Sequence, residues 1–263
     1  MHTVTLGTTT LAFDDIGAGS GTPLLLVHGH PFDRSMWAPQ IEGFRGAHRV
    51  IGPDLRGYGA SPGAVPQWSA FADDLATLLD VLRVERAVVV GLSMGGQIAM
   101  DLQRRHPDRV AGLLLADTTA AVDADPAARV ATADRLERDG MDPYAVEALY
   151  RMVRPDAPPR VAEHVLEMMR GTDPRGAAAA QRARAARPDY RSSLGAVDVP
   201  TVVVVGTEDD YTPIRDAQEI ADRVPGAELV VIDGAAHLPP LEQPAAFNAA
   251  VARLLARTAA HAA

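Results

Sequence analysis

The 263 residues are 47% hydrophobic and 22% charged, enough apolar material to bury one large core or two small ones. A net charge of −9 with no basic patch argues against nucleic acid or an anionic membrane surface as partner. The absence of cysteine excludes disulfides, thiolate catalysis and cysteine-held metals.

Residues 3–6 and 10–14 alternate like the two strands of a hairpin, with Gly7 as the turn signal. Pro23-Leu24-Leu25-Leu26-Val27 is apolar on both faces and predicts a fully buried strand, running out into His28-Gly29-His30-Pro31-Phe32. A second buried strand over 49–54 leaves through Leu55-Arg56-Gly57-Tyr58-Gly59-Ala60-Ser61. Phe71, Leu75, Leu78, Leu79 and Leu82 recur at helical spacing.

The stretch around residue 93 organises the rest. A β-branched run, Val88-Val89-Val90, meets Gly91-Leu92-Ser93-Met94-Gly95-Gly96, and the helix-like Gln97-Ile98-Ala99-Met100-Asp101-Leu102 follows. In a strand–turn–helix context, Gly-x-Ser-x-Gly holds the serine on a strained turn where only glycine leaves room for the neighbouring backbone. The hydroxyl then projects beyond the sheet edge, and the helix N-terminus favours negative charge developing there.

Val110-Ala111-Gly112-Leu113-Leu114-Leu115-Ala116 is a further strand, ending at Asp117. Over 120–195 the buried runs stop, and helical spacing appears at 127–138, 144–153, 160–169 and 176–186. Strands resume at 201–205 and 229–232, with helices near 215–223 and 244–257. The alternation predicts an α/β fold: a doubly wound, mostly parallel sheet of residues 1–119 and 196–263, with 120–195 inserted as a helical cap. No apolar run approaches the roughly 20 residues of a membrane helix. The start Met1-His2-Thr3-Val4 lacks a signal peptide's basic-then-apolar order, so a cytoplasmic location is expected.

A serine hydroxyl needs a positioned base, usually a histidine held by a carboxylate. His237 follows the last strand and so falls at the same sheet edge as Ser93, the edge where such sheets bind ligands. For the acid, Asp209 and Asp210 compete after the strand at 201–205, Glu208 is weaker, and Asp117 also opens onto that edge.

With serine, acid and histidine ending successive strands, the chain resembles the α/β-hydrolases along essentially its whole length. The resemblance rests on His28-Gly29-His30-Pro31, the run from Asp54 to Ser61, Gly91-Leu92-Ser93-Met94-Gly95, and Asp209 and His237 in their settings. Gly206-Thr207-Glu208-Asp209 before Thr212-Pro213, and Ala235-Ala236-His237 before Glu242-Gln243-Pro244, resemble 3-oxoadipate enol-lactonases. The His28-Gly29 segment is closer to small carboxylesterases and cofactor-free haloperoxidase-like relatives.

The resemblance implies a catalytic triad of Ser93, Asp209 and His237, with an oxyanion hole formed by the amides of Met94 and His30. It makes Asp54 and Arg56 parts of a structural turn. Trp37, Tyr144 and Met168 are candidate contacts for a small-molecule substrate, and Arg182, Arg184 and Arg187 could meet a substrate carboxylate as a lactonase would require. No cofactor and no metal are expected. The activity expected is hydrolysis of a small carboxylic ester or lactone. The alternatives are carbon–carbon bond hydrolysis, perhydrolysis, or a non-hydrolytic ligand-binding or cyclase role.

Overall fold

In the computed structural model, which describes residues 1–7 and 9–261, eight strands form one sheet in the order β1-β2-β4-β3-β5-β6-β7-β8. The hairpin β1 (His2–Leu6) and β2 (Thr9–Ile16) is antiparallel, and β2 runs antiparallel to β4 (His48–Pro53). From β4 through β3 (Gly21–Val27), β5 (Ala87–Leu92), β6 (Val110–Ala116), β7 (Thr201–Gly206) and β8 (Glu228–Ile232), every neighbour is parallel. The expected mostly parallel sheet is therefore present.

The apolar runs fill two cores at once because successive strand side chains point to opposite faces. Leu25, Val27, Val89, Leu113, Leu115, Val203 and Val205 face one core, covered by α2 (Ala70–Val81), α3 (Met94–Arg105) and α8 (Ile214–Arg223) through Phe71, Leu75, Ile98 and Ile220. Leu24, Leu26, Val88, Val90, Leu114, Val202 and Val204 face the other. There α1 (Ala38–Phe44) and the last helix, α10 (Pro244–His261), cover them through Phe44, Phe247, Val251 and Leu254. Such runs cannot alternate with polar residues because both faces are dry.

Between β6 and β7 the chain passes through four helices, α4 (Pro126–Asp139), α5 (Met141–Met152), α6 (Pro159–Gly171) and α7 (Pro174–Ala185). Asp125 and Asp173 cap α4 and α7 by accepting from the amides of Ala128 and Arg175, the usual service of an N-cap carboxylate. Ala177 and Ala178 of α7 pack against Ala133 and Leu136 of α4, so small side chains bring these two helices close. At the start of α7 the backbone lies directly on the turn at Gly57. A Cβ on Gly176 would sit 2.0 Å from the Gly57 carbonyl oxygen, which leaves no room for another residue. Ala145, Leu149, Met152, Val165 and Met168 join the second core, tying α5 and α6 to the sheet.

Four short pieces had no counterpart in the sequence reading: α1 with the 3₁₀ turn Arg34–Trp37 before it, the 3₁₀ turns Pro107–Arg109 and Leu194–Ala196, and α9 (Pro239–Glu242). Each is too short to show a helical period, and Pro39, Gly43, Pro239 and Pro240 read as breakers. No described helix is long and apolar enough to cross a membrane.

Candidate active site

Ser93 stands between β5 and α3 with φ 54° and ψ −116°, a conformation that L-residues rarely adopt. The turn is held from both sides: the Ser93 amide donates to the Ala116 carbonyl at 2.8 Å, and Thr118 Oγ1 donates to the Ser93 carbonyl at 2.7 Å. The flanking glycines are a packing requirement. A Cβ on Gly91 would meet the Gly95 carbonyl oxygen at 2.4 Å, and one on Gly95 would meet that of Val27 at 2.1 Å. Backbone cannot yield to either, so Gly95→Ala is expected to cost at least about 2 kcal/mol of stability, read as a lowered denaturant midpoint.

His237 lies in the loop between β8 and α9, buried, with Nδ1 2.9 Å from Asp209 Oδ2. The Tyr211 ring packs on it at 5.2 Å between centroids. Asp209 Oδ1 accepts from the amides of Tyr211 at 2.8 Å and Thr212 at 3.1 Å, while Oδ2 also takes the Thr212 hydroxyl. Burial alone would raise the pKa of Asp209. The charge on His237 and the hydrogen bonds from His237 and Thr212 outweigh it and hold the carboxyl below its ordinary value. The histidine loop is itself pinned, since Glu242 accepts from the amides of Ala236 and Arg154, each at 2.8 Å.

Of the competing acids, only Asp209 reaches His237. Glu208 is half exposed and pairs with Arg154 at 3.1 Å, and Asp210 is exposed. Asp117 is fully buried behind Asp209, with φ 46°, and accepts from the Gly206 amide at 2.9 Å. Burial first, then the neighbouring Asp209 charge, push its pKa well above the ordinary value.

The loop after β3 lies against Ser93: a Cβ on Gly29 would be 3.3 Å from the Ser93 Cβ. His28 braces this loop, with Nδ1 on the Gly29 carbonyl at 2.8 Å and Nε2 accepting the Leu55 amide at 2.9 Å. His30 Nδ1 is 2.7 Å from the Tyr58 hydroxyl, and its buried Nε2 has no partner among the described residues. Burial, then Arg184 and Arg129, hold the His30 pKa well below the ordinary value, so the ring is neutral. Asp54 and Arg56 stand away from this centre in the following turn, Asp54 accepting from the amides of Arg34 and Ala60 and Arg56 pairing with Asp74.

Ser93, His237 and His30 open onto one cavity of about 360 Å³, a size that suits a small molecule. Tyr144 and Met152 of α5 form part of its wall. Tyr144 packs edge-on against His30 at 6.0 Å, and burial pushes its hydroxyl up to about 12. Two of the three candidate substrate contacts lie elsewhere. Trp37 is fully buried against Phe247 at 6.1 Å in the second core, and Met168 is buried in the same core, because both side chains complete the packing of helices against the sheet. The sequence reading did not single out Tyr211, Thr212, Asp123, Arg129 or Gln181, all of which line the cavity. Of the three arginines it weighed, Arg184 and Arg187 line the cavity, whereas Arg182 is on the outside, paired with Asp134 and Glu137. Among the described residues no cluster of histidine and carboxylate side chains has the arrangement to hold a metal ion.

Residues 24–250 match the Alpha/beta hydrolase family. In sequence the chain is 29% identical over 260 residues to 3-oxoadipate enol-lactonase 2 of Acinetobacter baylyi, covering 97% of this chain and 96% of that one. In structure it superposes on a thermophilic esterase from Thermogutta terrifontis with a TM-score of 0.91 and 38% identity, over 98% of this chain and 99% of the esterase. The enol-lactonase of Burkholderia xenovorans also gives a TM-score of 0.91, at 29% identity over 97% of this chain and 100% of that one.

Proposed function

Because this chain belongs to the alpha/beta hydrolase family and is an enzyme of that kind, we propose that it cleaves a small carboxylic ester or lactone through an acyl-enzyme on Ser93. One observation carries the reading: Ser93 and His237 open onto a single cavity, and His237 Nδ1 is fixed on a buried, ionised Asp209. With Nδ1–H donated to Asp209, Nε2 is left as the free base that takes the Ser93 proton. The hydroxyl oxygen attacks the acyl carbon, and the proton passes from Nε2 to the leaving alkoxide. Water then repeats the sequence on the acyl-enzyme. Negative charge on the tetrahedral oxygen falls at the N-terminus of α3, where the Met94 amide has no acceptor within the helix. The second donor is the amide of His30, carried by a loop packed against Ser93. In this reading residues 120–195 act as a cap that closes the cavity and selects the substrate.

Likeness to an esterase and to two enol-lactonases supports both ester and lactone as substrates. The test is intact-mass analysis after a fluorophosphonate probe, with turnover of short p-nitrophenyl esters and of five- and six-membered lactones. A single adduct mapping to Ser93, together with turnover, is the expected result. Folded protein whose Ser93 stays unlabelled would overturn the serine mechanism.

A further inference from the structure

The side chain of His30 has no part in the reaction described above, yet it lines the Ser93 cavity and is only 4% exposed. Its Nδ1 is tied down, 2.7 Å from the hydroxyl of Tyr58, which is fully buried in the core that α2 and α3 cover. The Tyr58 hydroxyl also donates to Met94 Sδ at 3.8 Å. Both contacts are made together in one way only. The hydroxyl proton points at the sulfur, Nδ1–H donates to the phenol oxygen, and Nε2 keeps a lone pair. The other tautomer would forfeit the sulfur contact and bury an unpaired N–H instead.

Nothing among the described residues meets that lone pair. His28, two residues earlier, differs in this respect, since its Nε2 accepts the Leu55 amide. With Nδ1 anchored in the core, the ring edge that carries Nε2 is the one turned toward the cavity. Tyr144 of α5 packs edge-on against the ring at 6.0 Å. A second proton on the ring is opposed by burial and then by the nearby guanidiniums of Arg184 and Arg129, so Nε2 stays an acceptor. A buried acceptor without a donor is costly, and a donor on a ligand relieves that cost.

The reaction geometry says which part of a substrate the ring meets. The leaving oxygen must face His237 Nε2 to take its proton, so the alcohol portion lies on the histidine side of the carbonyl. The carbonyl oxygen is held by the His30 amide, and the His30 side chain begins two bonds from that nitrogen. What remains for the ring is the acyl carbon next to the carbonyl. We propose that His30 Nε2 accepts a hydrogen bond from a hydroxyl on that carbon, so that the substrates of this enzyme are 2-hydroxy esters or 2-hydroxy lactones. This rests on the hydrolase reading, and the experiment separates the two.

Hydrolysis of ethyl 2-hydroxybutyrate, each enantiomer separately, is compared with that of ethyl 2-fluorobutyrate by pH-stat, with fluorophosphonate labelling of Ser93 in parallel. Fluorine is close to hydroxyl in size and more electron-withdrawing. Intrinsic reactivity therefore favours the fluoro ester, which lacks only the hydrogen-bond donor. One enantiomer of the hydroxy ester is expected to exceed the fluoro ester in kcat/KM by about tenfold or more. His30→Asn keeps a polar group against Tyr58 but puts nothing in the place of Nε2, and is expected to bring that ratio to about one. His30→Gln, whose amide reaches the place of Nε2, is expected to restore part of it. The ratio is taken within each variant, so a change in overall rate does not enter it. If neither variant folds, the wild-type ratio decides. A labelled enzyme that hydrolyses neither ester, a wild-type ratio near one or below, or a ratio unchanged in His30→Asn overturns the subsite and leaves the serine nucleophile standing. No adduct and no turnover of any of these esters removes both.

Discussion

Ser93→Ala is expected to lower kcat by about 10⁶-fold and to leave the thermal melt essentially where it was. The first half follows from chemistry. Without the oxygen no acyl-enzyme forms, and what survives is whatever the oxyanion donors and the cavity do for attack by water. The second half follows from the turn. Strain at φ 54° belongs to the backbone and is the same for serine and alanine, since both carry a Cβ. The contacts that hold the turn, to Ala116 and from Thr118, are made by the main chain of residue 93. Among the described residues Ser93 Oγ has no hydrogen-bond partner, so its removal strands no buried group. Stopped-flow or steady-state turnover, with a melting curve on the same preparation, checks both halves. A variant within about tenfold of the wild-type rate would sink the serine mechanism.

The order of elements was legible because this sheet is buried on both faces. Each strand shows as an unbroken apolar run, and where the run stops the carboxyl edge begins. That alone puts Ser93, Asp117, the 208–210 cluster and His237 on one rim. It could not choose among the acids. The choice is made by the amides of Tyr211 and Thr212, which turn the Asp209 carboxylate toward His237, and by the strained backbone that leaves Asp117 behind it. A strand-end carboxylate has the same look in sequence whichever of these it meets.

The inserted helices were harder, for a reason visible in α7. Arg182 and Arg184 sit two residues apart, which is roughly 200° around a helix. One is 37% exposed among acids of α4, and the other is buried in the cavity. An alanine-rich helix with little amphipathic contrast gives no sign of which face is wet. The partner of Arg184 is Gln97 on α3, and that of the neighbouring Arg187 is Asp123 before α4, positions no local pattern connects. Trp37 and Met168 fail in the opposite direction: a large apolar side chain near a site reads equally well as lining or as core, and here packing against Phe247 and the sheet decided for core.

Asp209→Asn is expected to lower kcat by about 10⁴-fold, whereas Asp117→Asn should stay within about tenfold of wild type. In the first variant the two backbone amides at Oδ1 require an acceptor, so the asparagine oxygen takes that place and its NH₂ falls where Oδ2 stood. That NH₂ then faces His237 Nδ1 and donates to it, which forces the proton onto Nε2. A ring protonated at Nε2 cannot accept the Ser93 proton, and the imidazolium it would form loses its countercharge. Asp117 has the reverse character. Burial and the Asp209 charge raise its pKa, and asparagine keeps an oxygen for the Gly206 amide while removing the titration. The sign of the stability effect follows. A carboxyl whose folded pKa is raised binds its proton more tightly in the native state, so its contribution is best below the unfolded value and is lost as pH rises toward the folded one. Asp117→Asn should therefore raise the melting temperature at pH 7, with the gain fading toward about pH 4. Turnover and melting of the two variants, measured at pH 7 and again near pH 4, test the pair together. A damaging Asp117→Asn beside a mild Asp209→Asn would move the catalytic acid from β7 to β6.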